Sequence, residues 1–181
     1  YEDDKPGMEI KGKKFGVIGL GDIGLRTAQL AKAFGADVSY WSRNRKYDAE
    51  ADGIKYSELD DLLASSDILT LNLALNPETE GIINADLVTK IKRNAIFNPS
   101  PMELIDFDPL VERLKKNDIV FMLDHSDEMT EEQLVQLKPL STCRVYPAIA
   151  YLTREASELK KRIYIDNIIN FMGDKPTNKV N

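Results

Sequence analysis

Phe15-Gly16-Val17-Ile18-Gly19-Leu20-Gly21-Asp22-Ile23-Gly24 decides the fold. A short apolar run leads into G-x-G-x-x-G, and a helical pattern follows. The spacing predicts a buried strand over Lys14 to Ile18 and a helix from Asp22 to Phe34. Gly19 allows the tight turn between them. Gly21 lets backbone come close to a pyrophosphate, and Gly24 lets the helix pack against the strand. The phosphates of a dinucleotide would face the free N–H groups and positive dipole end of that helix.

Outward from this loop, short apolar strands alternate with helical patterns. Val38 to Trp41 reads as strand 2, and Ser42-Arg43-Asn44-Arg45-Lys46 as a polar, basic tip. Ile23, Ala28, Leu30, Ala31 and Phe34 are read as one apolar face of the first helix, with Gly35 at its C-terminal end. Ser57-Glu58-Leu59-Asp60 has the form of a capping box opening a short helix. Asp67 to Leu73 reads as a strand, Asn84 to Ile91 as a helix and Ala95 to Phe97 as a strand. Asp108 and Pro109 predict a helix start, Asp as cap and Pro at the first helical position. Ile119 to Leu123 is the next strand, Thr130-Glu131-Glu132-Gln133 a second capping box, Arg144 to Tyr146 the last strand, and Thr153 to Phe171 a long helix. This alternation predicts an α/β fold: a doubly wound, mainly parallel sheet with helices on both faces, of Rossmann type.

The 181 residues suit one domain. The expected limits are a lead-in over 1–12, a dinucleotide-binding domain over 13–172 and a tail over 173–181. A net charge of -6 argues against nucleic acid, whose phosphates need a basic face. No apolar run approaches the roughly 20 residues of a membrane span. The single cysteine, Cys143, forms no internal disulfide and reads as a core thiol, which fits the cytoplasm. The chain opens on Tyr1 and a polar run, which reads as an inter-domain linker of a longer protein.

Several segments beyond the glycine loop carry a family pattern. Glu9-Ile10-Lys11-Gly12-Lys13, Leu62 to Leu75, Asn76-Pro77-Glu78-Thr79-Glu80-Gly81-Ile82-Ile83-Asn84, Ile149 to Ala156 and the closing Lys175 to Asn181 all take part. Together they resemble the cofactor-binding domain of the D-isomer-specific 2-hydroxyacid dehydrogenases. The resemblance implies an NAD(P)-binding oxidoreductase domain and a homodimer. It also implies a separate substrate domain elsewhere in a longer protein. It assigns cofactor contacts to Gly19, Gly21, Asp22, Ile23, Gly24, Leu73, Ala74, Thr79, Asn98 and Asp124. Ser42 and Arg43 fall where NAD-preferring domains carry an acidic residue at the end of strand 2. Ser with Arg would accept a 2′-phosphate that an Asp would repel, so NADP is favoured over NAD.

The family's chemistry uses an Arg, a Glu and a His. Pro101 and Ala148 stand at the matching Arg and His positions; Met129 stands at the Glu spacing, with Asp127 and Glu128 close by as a shifted carboxylate. No catalytic residue is therefore assigned, and no metal ligand set is found. Three functions remain open: a cofactor-binding domain with little or no turnover, an oxidoreductase with a rebuilt site using the single histidine His125 or residues of the separate substrate domain, and a dimerisation module with a vestigial pocket.

Overall fold

The first strand, β1 (Lys14–Ile18), is buried continuously from Gly16 to Ile18. Val17 is buried in one apolar cluster and Ile18 in another, so the strand has a core on each side. The computed structural model describes residues 7–93, 95–98, 101–149 and 151–179. The expectations for 1–6, Val180 and Asn181 lie outside the described residues.

Six further strands join β1: β2 (Asp37–Trp41), β3 (Lys55–Tyr56), β4 (Ile68–Leu71), β5 (Ile96–Asn98), β6 (Val120–Leu123) and β7 (Cys143–Val145). They form one sheet in the order β3-β2-β1-β4-β5-β6-β7, and every pairing is parallel. Helices α1 (Asp22–Ala33) and α2 (Tyr47–Ala51) cover one face, where Ala28, Ala31 and Ala49 meet Val17, Val38, Tyr40 and Ile54. Helices α3 (Leu59–Ser65), α4 (Ala85–Lys90), α5 (Phe107–Leu114) and α6 (Glu131–Leu137) supply the larger cluster around Ile18, Leu71, Phe97 and Phe121. This is the doubly wound architecture. The strand order reverses between β1 and β4, the place where such sheets open a crevice at their carboxyl ends.

Residues through Tyr146 make one compact unit, and Pro147–Asn181 make a second. The second holds helix α7 (Arg154–Met172), capped by the Thr153 hydroxyl, which accepts the Ala156 N–H at 3.0 Å. No residue of α7 is buried.

Four local readings need correction. On α1 the buried positions are Gly24, Ala28 and Ala31, while Ile23, Leu30 and Phe34 are exposed. Small side chains fill the contact between the helix and the sheet, with Leu25 packed partly beside them, and the helix turns these bulky apolar residues outward. The Ser57 capping box does not form. The Ser57 hydroxyl donates to Glu58 O at 3.1 Å, and Glu58 caps α3 without a side-chain bond. Asp106, not Asp108, precedes α5, and its carboxylate accepts the Ala85 N–H at 3.0 Å at the start of α4. Pro109 is the third residue of α5. The stretch after the basic tip folds as α2 and β3, elements the pattern of apolar residues did not announce. The Thr130 capping box forms as expected, with Gln133 as its reciprocal partner.

One buried charge ties the far half together. Arg113 of α5 is 9% exposed, and its Nε lies 2.9 Å from the Asp118 carboxylate. Its guanidinium donates to Thr89 O at 3.1 Å and Ile91 O at 2.8 Å, which satisfies the carbonyls ending α4. Removing one partner of such a pair strands the other. Arg113→Ala is expected to destabilise the fold by about 3 kcal/mol in urea unfolding, well beyond the cost of an exposed ion pair.

Candidate functional site

The glycine loop is shaped by three different constraints. Gly19 has φ +92°, and a Cβ there would lie 2.7 Å from Asn72 O. Its N–H donates to Trp41 O at 2.8 Å, and Asn72 N–H donates to Ile18 O at 2.7 Å, so the loop is stitched to the ends of β2 and β4. Gly24 sits where a Cβ would come 2.0 Å from Gly19 O. The helix can approach the turn only because that atom is missing. Gly21 differs from both. It precedes α1 in extended conformation, and a Cβ built there meets nothing within 4 Å. The space beside Gly21 is open.

Gly21 also lines a cleft of about 310 Å³. Ile18, Trp41 and Leu71 are level across β1, β2 and β4, so the three following loops converge. Gly19, Leu20 and Gly21 line it from the first loop, Ser42, Arg43, Asn44 and Lys46 from the second, and Asn72, Leu73 and Ala74 from the third. A neighbouring cleft of about 320 Å³ is lined by Trp41, Arg43, Leu73, Glu78, Thr79 and Ile82. Arg43 and Leu73 border both. No side chain caps the first turn of α1, so its N–H groups remain for an anion. Free backbone donors, cations and apolar walls in this order suit pyrophosphate, a ribose with its substituents, and a flat base.

The basic tip separates into different roles. Arg45 is paired with Glu50 and lies 4.8 Å from the Tyr56 ring centre and 5.4 Å from that of Tyr47. The Arg45 guanidinium holds the Glu50 carboxyl below its ordinary range. The buried Tyr40 hydroxyl donates to Glu50 at 2.9 Å and accepts the Lys46 N–H at 2.6 Å, and burial raises its pKa. Arg45 therefore fastens the loop. Arg43 and Lys46 are the cations that line the cleft. Ser42, 9% exposed, donates its hydroxyl to Asn44 O at 2.7 Å and so shapes the tip from within.

Of the residues assigned to the cofactor, Gly19, Gly21, Ser42, Arg43, Leu73 and Ala74 converge on one cleft and Thr79 lines its neighbour. Asp22 and Ile23 open α1, so their contribution would be backbone N–H; the Ile23 side chain is 74% exposed. Gly24 acts through packing. The Thr79 hydroxyl is engaged in its own turn, accepting from Asn76 N–H at 2.9 Å and donating to Ala74 O at 2.7 Å. Asn98 ends β5 opposite Thr70. Asp124 follows β6, half-buried, and lines neither cleft. Leu20, Asn44, Asn72, Trp41, Glu78 and Ile82 also line the clefts and were not assigned. Leu20, Trp41, Asn44 and Asn72 lie at or just after the ends of β1, β2 and β4, so strand order was the signal that could have found them; Glu78 and Ile82 come later in the loop after β4, beyond that signal.

The three positions matched to catalysis offer no charge. Pro101 precedes a 3₁₀ turn, Met102–Leu104, whose Leu104 is wholly buried. Met129 packs half-buried against the larger core. Ala148 lies in the second unit. His125 follows β6 with Nδ1 3.5 Å from Glu128 and Nε2 3.8 Å from Asp124. Burial pushes the Cys143 thiol up to about 11, which keeps it unreactive. Among the described residues no group of three His, Cys, Asp or Glu side chains is placed to hold a metal.

Residues 1–148 match the model of the NAD-binding domain of D-isomer specific 2-hydroxyacid dehydrogenases. The chain belongs to this family. A Staphylococcus aureus protein named "putative 2-hydroxyacid dehydrogenase" is 35% identical over 178 residues, covering 97% of this chain and 56% of its own length. The chain thus spans little more than half of the curated relatives it matches. An acyclic imino acid reductase solved with NADPH and D-Arg superposes with TM-score 0.84 at 29% identity, over 96% of this chain and 55% of that one. The D-lactate dehydrogenase of Aquifex aeolicus, solved with NAD and lactic acid, gives 0.85 at 22% identity over 97% and 58%, a likeness of fold. This dehydrogenase-family domain has the cleft, and its glycines can be told apart by experiment. Gly21→Ala is expected to fold with an unchanged melting temperature and to bind the dinucleotide at least about ten-fold more weakly, since its methyl enters the cleft. Gly24→Ala is expected to lower the melting temperature by several degrees, since its methyl enters the packing.

Proposed function

We propose that this domain binds NADP, and NAD less tightly, in the cleft at the β1, β2 and β4 ends, and turns over 2-hydroxyacids slowly or not at all. The single observation that carries the reading is the protein-free space at Gly21, set before the uncapped first turn of α1. Asp22 and Ile23 would offer N–H groups to the pyrophosphate. Leu73 and Ala74 would lie along the adenosine side, and Arg43 with Lys46 would face a 2′-phosphate. The absence of an acid at the end of β2, where Ser42 stands, removes the group that would repel that phosphate.

When bound, the nicotinamide supplies hydride transfer. The chain's part would be to orient a substrate carboxylate and move a proton. Pro101 cannot pair with a carboxylate, and Ala148 cannot exchange a proton. Loss of a general acid/base alone typically slows a reaction about 10²–10⁴-fold. A second reading keeps turnover and rests on His125, held between Asp124 and Glu128 at the end of β6.

Fluorescence titration should give a lower Kd for NADPH than for NADH, and the reverse order would remove the NADP preference. Absorbance assays with either cofactor and a panel of 2-oxoacids should show no robust turnover. Turnover that is lost in His125→Ala would move the conclusion to the second reading.

A homodimer in a reducing cytoplasm is the setting we infer. The exposed apolar residues Ile23, Leu30 and Phe34 on α1 supply surface for self-association. Light scattering is expected to give twice the chain mass for the parent and to shift toward the monomer for Phe34→Glu.

A further inference from the structure

We propose that Glu78 sets how strongly the cleft prefers a 2′-phosphate, by competing with that phosphate for Arg43. The proposal rests on the reading that the cleft takes NAD(P) with Arg43 at the 2′ position. Arg43 leaves the end of β2 and reaches across to pair with Glu78 on the loop that follows β4. The pair spans the border of the two clefts: Arg43 lines both, and Glu78 lines only the one with Trp41, Leu73 and Ile82.

Exposure and anchoring give the pair its meaning. Both side chains are about two-thirds exposed, 65% and 67%. An ion pair in water this open is weak, so it is no strut for the loops. A phosphate dianion brings more charge and a geometry that matches the guanidinium fork, so it can take Arg43 away. Glu78, however, cannot retreat with its loop. Its N–H donates to the Asn76 side chain at 2.9 Å, and the next residue, Thr79, is buried and bonded to Ala74 O at 2.7 Å. The backbone of Glu78 therefore keeps its carboxylate within reach of the place where the phosphate arrives. NADPH must displace it from Arg43, while NADH leaves the pair intact. Arg45 cannot substitute as the phosphate ligand, because Glu50 and Tyr56 hold it. The result is a cleft whose preference for the phosphorylated cofactor is held below what its cations alone would give.

The test uses the adenosine halves of the two cofactors, 2′,5′-ADP and 5′-AMP, titrated calorimetrically into the chain, with melting curves to check folding. Glu78→Gln is expected to tighten 2′,5′-ADP about three- to five-fold and to leave 5′-AMP unchanged. The gain should shrink in high salt and vanish in an Arg43→Gln background. Equal tightening of both ligands, or a gain that persists undiminished without Arg43, would overturn the proposal. So would an unchanged 2′,5′-ADP affinity in Glu78→Gln while Arg43→Gln still weakens it; the NADP preference would then stand without Glu78. Parent protein that binds 5′-AMP more tightly, with no effect of Arg43→Gln on 2′,5′-ADP, would remove that preference and the proposal with it.

Discussion

The contact between Gly24 and the Gly19 carbonyl is the constraint on which the rest hangs. It leaves no room for a side chain, so α1 lies directly on the turn that launches it. From that approach follow the aim of the helix N-terminus and the position of Gly21 beside open space. The turn itself is fixed from two sides, by Trp41 O and by the Asn72 backbone, because β1 is flanked by parallel neighbours ending at its own level. A missing Cβ thus determines where three loops meet. The cleft is a by-product of packing, formed before any residue chosen for ligand chemistry is considered.

The clefts and the positions matched to catalysis by resemblance lie on different parts of the sheet. The clefts are built by β1, β2, β4 and their loops. The positions the family uses for reaction follow β5, β6 and β7. After β5 the chain commits to packing: Leu104 and Ile105 are buried in the larger core, and Ile83 pairs with Ile105 as an isolated bridge. A chain can therefore keep one half of the sheet suited to a dinucleotide while the other half carries Pro101 and Met129. Nothing in the packing of β1 against α1 depends on those residues.

The residues spelled out the fold where physics acts locally. β1 and its glycine turn were legible because an apolar strand, a positive-φ glycine and a helix start follow one another within a dozen residues. The Thr130 capping box was legible for the same reason. Legibility failed where distant groups compete. Asp106 serves the start of α4 rather than its own helix, a choice made by a segment some twenty residues away. Ile23, Leu30 and Phe34 were assigned inward by hydrophobicity, although the residues α1 buries are Gly24, Ala28 and Ala31, with Leu25 packed partly beside them. α2 and β3 are too short to show a period. At the site, Ser42 and Arg43 could be read from their offset to the glycines. Glu78 could not, since only the meeting of the β2 and β4 loops brings it to Arg43.

The interior position of β1 in the sheet also bears on how the chain reaches its shape. β1 is early in sequence yet lies between β2 and β4, with Phe15 in register with Ile68. Parallel partners this far apart must close long loops before any pairing is gained, which slows folding relative to local hairpins. A nascent chain that has emerged only as far as α3 has its glycine turn without the Asn72 backbone that braces it. The glycine turn is thus among the elements that must wait for later residues to acquire their form.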